Sequence, residues 1–151
     1  MKPIDLAEHP EGGRFREVFR SARDVTTPRG QSRAALTHIY FSLRRGEVSR
    51  LHRVSADEVW NLYRGELRLI CWRGDGGPPE RIHLSAAANR FCHVVPAGSW
   101  QAAEPLGEEV LVGCSVAPGF TFADFELMRS GTETARLIVG LEPGMARFLA
   151  P

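Results

Sequence analysis

The sequence is short of cysteine, of net charge and of long apolar runs, and each shortage removes a class of function. Three cysteines, Cys71, Cys92 and Cys114, stand far apart. An odd number without paired spacing supplies neither a disulfide framework nor a zinc ribbon. Each falls in an apolar, strand-like run, so core packing is the expected role. The net charge of +1 gives no electrostatic footprint for nucleic acid or for an anionic membrane. Arg14, Arg16, Arg20 and Arg23 do cluster, but Glu11, Glu17 and Asp24 interleave with them, as on a salt-bridged face. No stretch approaches the ~20 apolar residues that cross a bilayer. The start, Met1-Lys-Pro-Ile-Asp-Leu6, lacks the apolar centre of a secretory leader. The expectation is a cytoplasmic, reduced protein.

What is present is short alternation punctuated by glycine and proline. In residues 14–20, Phe15, Glu17 and Phe19 alternate with arginines and Val18. In residues 35–43, Ala35, Thr37, Ile39, Phe41 and Leu43 share one face, and His38, Tyr40 and Ser42 the other. Period-two alternation predicts strands. Residues 58–63 and 66–72 read as two strands around a turn at Arg64-Gly65. Further strands are expected over 81–84, 91–95, 101–103 and 110–116, with the strongest turn signal at Gly74-Asp-Gly-Gly-Pro-Pro79. Helical signals are few: one turn at 6–9, a short helix or final strand at 122–128, and a weak helix over 134–141 capped by Thr132. Many short strands with glycine and proline turns predict an all-β sandwich or barrel.

The most informative stretch runs from Gly46 to Gly65. It spaces Gly46, His52, Glu58 and Gly65 as the first signature of the cupin superfamily does, with Val54 where that signature has a second histidine. The opening His9-Pro-Glu-Gly-Gly-Arg-Phe-Arg-Glu-Val-Phe-Arg-Ser21 resembles that of the DUF985, or cupin-5, family. Val95-Pro-Ala-Gly-Ser-Trp-Gln-Ala-Ala103 and the closing segment from Gly113 to Leu127 resemble it too. In the second cupin signature Pro96 and Gly98 match, while Gln101 stands for histidine, Arg90 for glycine and Pro105 for asparagine. The resemblance covers residues 6–128. It implies a double-stranded β-helix, a jelly-roll barrel over residues 1–129, as a homodimer. Residues 130–151 are then an extension packed on the barrel or at the dimer interface. Leu51 and Asn61 replace the Trp and His that the family often has, and both are expected to border the pocket.

The resemblance places His52, Glu58 and Gln101 in one barrel mouth. His52 is the candidate acid or base, Glu58 its orienting partner, and Tyr40 the opposing acid, with Tyr63 disfavoured by its parity. Gln101, Trp60, Trp100, His38, His93 and Asn61 are candidate substrate contacts. One reading needs no cofactor: an isomerase, epimerase, cyclase or lyase that transfers protons. A second gives one divalent metal (iron, zinc, nickel or manganese) the ligands His52, Glu58 and Gln101, with His93 or His38 to complete the set. This is a poor donor set, since an amide oxygen replaces a nitrogen. A third reading is a non-catalytic binder of a small ligand. Arg14, Arg16 and Arg53 could pair with a substrate anion. His9 and His83 are expected in solvent, and Glu11-Gly-Gly13 as a turn.

Overall fold

Alternating strands bury one face each only by closing on one another, and this chain does so with two sheets. A computed structural model describes residues 4–151. In chain order the strands are β1 (Ala7–Glu8), β2 (Arg14–Arg20), β3 (Asp24–Thr26), β4 (Ser32–Ala34), β5 (Thr37–Arg44), β6 (Ser49–Val54), β7 (Asp57–Arg64) and β8 (Leu67–Trp72). There follow β9 (Glu80–Leu84), β10 (Cys92–Val95), β11 (Trp100–Pro105), β12 (Glu109–Ala117) and β13 (Phe125–Leu127), then α1 (Glu133–Leu141). The larger sheet has the order β1-β2-β5-β12-β7-β10, the smaller β13-β6-β11-β8-β9, and β3 and β4 form a separate ribbon. Pairing within both sheets is antiparallel. The result is an all-β jelly roll.

The side chains between the sheets make the first core, with Phe41, Leu43, Trp60, Leu67, Leu69, Ile82 and Val112 among its members. A second core lies on the outer side of the smaller sheet. There Leu51, Ile70, Trp72 and Trp100 meet Met128, Ala135, Ile138, Met145 and Phe148 from the C-terminal segment. β8 is therefore covered on both faces, which is why its sequence loses the alternation seen in β5. Helix α1 begins where Thr132 accepts a hydrogen bond from Ala135 N, and a 3-10 turn over Pro143–Phe148 comes after it.

Three expectations change. Residues 6–9 form no helical turn; Ala7–Glu8 bridge to β2 instead. The strands expected at 58–63 and 66–72 do form on either side of Arg64-Gly65, as β7 and β8, but they do not pair with each other. β7 pairs with β10 and β12, and β8 with β9 and β11, so the turn at Gly65 crosses between sheets. Gly65 has φ +82° and lies against the Glu109 carbonyl, where a Cβ has no room. In β2 the register shifts between Glu17 and Phe19. A bulge reverses the parity of the residues beyond it, so Arg20 lines the interior and Phe19 is 51% exposed. Residues 122–128 satisfy both sequence readings, as a 3-10 turn over Phe122–Asp124 and then β13. No helix among the described residues is long and apolar enough to cross a membrane.

Candidate active site

Inward-facing residues alternate along each strand, so register alone selects what meets in the barrel. From β6 come His52 and Val54, from β7 Glu58 and Trp60, from β5 Thr37, Ile39 and Phe41, and from β12 Cys114 and Val116. Together with Phe15 of β2 and Phe125 of β13 they line a cavity of about 480 Å³. Phe120, Thr121 and Phe122 edge it, beside the Glu17–Arg20 ion pair at 2.6 Å.

The turn after β1 completes the floor. His9 N donates to Gly13 O, Gly12 N to His9 O, and Arg50 N to Glu11 O at 2.7 Å, which ties the turn to β6. Gly12 and Gly13 have φ of +106° and +72°, left-handed values that a glycine adopts without penalty. The turn points Glu11 inward, 6% exposed. Its Oε2 lies 3.1 Å from His52 Nε2 and its Oε1 accepts from Ser49 Oγ at 2.8 Å.

The proton positions are set by the partners. His52 Nδ1 lies 2.7 Å from Arg50 O. A carbonyl only accepts, so Nδ1 carries hydrogen and the neutral ring turns a lone pair on Nε2 toward Glu11. A proton held by the pair lies between these two atoms. Burial raises Glu11 to about 7, with His9 acting against it. Burial also raises Glu58 to about 7; His52 opposes this and Glu11 reinforces it. His9 and His52 are both lowered by burial. Two carboxyls poised near neutrality beside two neutral imidazoles can each accept or release a proton.

The sequence matches the cupin superfamily family DUF985 over residues 1–128. The chain belongs to this family. Two solved structures similar over most of their length are a hypothetical protein from Leishmania major and a protein from Shewanella oneidensis. The first is 28% identical, with TM-score 0.82, over 97% of this chain and 94% of that one. The second is 32% identical, with TM-score 0.79, over 97% and 92%. An oxalate decarboxylase from Bacillus subtilis shares the fold at 18% identity and TM-score 0.58, over 79% of this chain and 28% of that one. A comparison with curated proteins gives no match.

This cupin does not bring all of its expected site residues together. His52, Glu58 and Trp60 line the cavity. Tyr40, His38 and Asn61 lie on the opposite faces of β5 and β7, because their parity is opposite to that of Phe41 and Trp60. His38 bonds Ser115 Oγ at 2.7 Å and Tyr63 OH at 2.8 Å, Tyr40 packs edge-on to Tyr63, and Asn61 donates to Gly113 O. Tyr40 is thus in no position to act as the opposing acid. Trp100 is in the outer core beneath Arg53, whose guanidinium is 4.6 Å from the ring centre, and Leu51 is in that core too. His93 lines a second cavity of about 390 Å³ with Trp72 and Glu80. Arg14 and Arg53 pair with Glu47 and Glu126.

Gln101 is fully buried behind Trp60, whose Nε1 donates to Gln101 Oε1 at 2.6 Å. An indole N–H only donates, so it fixes which amide atom is oxygen. Among the described residues the amide nitrogen has no hydrogen-bond partner, yet it is near enough to Glu58 to draw that carboxyl downward. The proposed metal set His52, Glu58 and Gln101 therefore does not fit. Its oxygen is turned to Trp60, and the free amide atom is a donor with no lone pair for a cation. Among the described residues no three His, Cys, Asp or Glu side chains are grouped to hold a metal ion.

Sequence reasoning missed Glu11 and misplaced His9. His9 is not in solvent; its ring packs 4.7 Å from Phe15 and 5.8 Å from Phe125, and Nδ1 accepts from Glu11 N. Glu58 also does not fix the His52 ring; Arg50 O and Glu11 do. The available signal was the pairing of imidazole and carboxyl two positions apart, just before two glycines.

Proposed function

We propose that this cupin is a small-molecule enzyme that works by proton transfer, of the isomerase, epimerase, cyclase or lyase kind. The observation that supports it is the pair of buried carboxyls, Glu11 and Glu58, each near 7, with Glu11 3.1 Å from His52 and Glu58 drawn downward by it, in a cavity large enough for a ligand. Glu58 in its carboxylate form takes a proton from the bound molecule. The Glu11–His52 pair, holding one proton between Oε2 and Nε2, returns one. The aromatic walls keep water from quenching the intermediate charge. The same reading keeps the protein in the cytoplasm, where its three unpaired thiols stay reduced. It also takes a homodimer, supported by Phe19, Tyr63 and Val94, about half exposed on the outer face of the larger sheet.

The test is solvent deuterium exchange into a panel of ring-bearing carbon acids, followed by proton NMR. His52→Gln and Glu58→Gln should each slow exchange about 100-fold or more, and His52→Gln should leave ligand affinity within a few fold. Exchange that survives His52→Gln at the wild-type rate would falsify the proposal.

A further inference from the structure

The cavity walls and floor differ in character, and the difference selects a ligand. Phe15, Phe41, Trp60, Phe120, Phe122 and Phe125 supply aromatic surface around it. The polar groups at its floor are Glu11, Glu58, His9, His52 and the Cys114 thiol. Arg20 is the only lysine or arginine among the described lining residues, and Glu17 and the Phe120 carbonyl already hold it at the opening. Among the described residues no lysine or arginine side chain reaches the floor.

We propose that this cavity takes a small organic cation, a primary or methylated amine on an aromatic or alkyl body. The inference deepens the proton-transfer reading and rests on it only for treating this cavity as the site. Aromatic faces carry negative quadrupole charge and attract ammonium groups, most strongly where water is excluded. An anion would meet the same faces and two carboxyls with nothing to offset them. A neutral, many-hydroxyl molecule would meet too few hydrogen-bonding groups for its own. An ammonium instead supplies the partner that the ionised carboxyls lack. Gln101 fits the same scheme, because its unpaired amide N–H on the Glu58 side favours a carboxylate there. Binding a cation therefore drives a proton off the floor, from a set that comprises Glu11, Glu58, His9 and His52, with the Glu17–Arg20 pair outside it.

The experiment is calorimetric titration with three molecules of one shape: benzylammonium, benzyl alcohol and benzoate. Benzylammonium should bind about tenfold or more tightly than the alcohol, and benzoate most weakly. Repeating the titration in two buffers of different ionisation enthalpy should show proton release with the amine and none with the alcohol. Glu58→Gln and Glu11→Gln, checked for folding by thermal melting, should each weaken the amine and leave the alcohol within a few fold. The proposal is overturned if the alcohol or benzoate equals the amine, if the amine shows no saturable binding, or if neither variant weakens it. Amine binding without deuterium exchange would sink the enzyme reading alone. Exchange without amine preference would sink this one alone.

Discussion

Replacing Glu58 with glutamine removes a charge from a place where charge is costly, and the cost can be read against pH. The fold raises this carboxyl from 4.5 to about 7 by burying it. Between those values the folded protein keeps a proton that the unfolded chain has released. The stability carried by the neutral carboxyl is therefore complete below the unfolded value and is lost as pH rises through the folded one. At about 1.4 kcal/mol per pKa unit, the full loss is about 3 kcal/mol. Glutamine has no proton to lose. The variant should gain on wild type by about 2–3 kcal/mol between roughly pH 5 and pH 8.5, which for a chain of this size is roughly 5–10 °C in melting temperature. His9 and His52 shift in the opposite sense, since their folded values are lowered. Comparing the two proteins at each pH cancels the His9 contribution, while loss of Glu58 lowers His52 further and adds to the variant's gain as pH rises. Urea unfolding across this range is the assay. A stability difference that is flat with pH would mean that Glu58 ionises in the fold as freely as in water, and Glu58 would then have no claim to the role of a base poised near neutrality.

Two further outcomes are expected. Gly12→Ala should cost about 2 kcal/mol or more in urea unfolding, because φ is +106° and the new Cβ would meet the Val48 carbonyl; a neutral substitution would show that the turn holding Glu11 is not fixed. In the folded protein only Cys92 should react with a thiol reagent within minutes, since Cys71 is raised to about 12 by burial and Cys114 well above its usual value. Release of all three thiols before unfolding would contradict the packing of the first core, which holds both Cys71 and Cys114.

The barrel was legible where one face of a strand meets the core and the other meets water. Thr37, Ile39, Phe41 and Leu43 alternate cleanly, and β5 turns that face inward. Legibility fails where that condition fails. Leu51 and Trp100 read as pocket residues, because the expectation that residues 130–151 pack on the barrel or a dimer interface does not say which strand faces they cover. The bulge in β2 was invisible for a different reason: one inserted position leaves the composition unchanged but exchanges Phe19 for Arg20 on the inner face. In the site, His52 and Glu58 are evident from spacing. Glu11 is not, since a residue in a glycine turn has no periodicity to reveal where it points. Tyr40 and His38 were assigned from their chemistry, and strand parity decides against them.

The turn from His9 to Gly13 also separates shape from reactivity. The groups contributed by β6 and β7 are bound to the register of whole sheets, and moving one of them by a single position would turn a row of neighbours inside out. Glu11 has no such obligation. It is held by a few hydrogen bonds of its own turn, one from Arg50 N to its carbonyl and one from Ser49 Oγ to its side chain. Its length, charge or presence can change without altering any strand pairing. Two barrels with the same walls and a different residue at this point would admit molecules of the same outline and treat them differently.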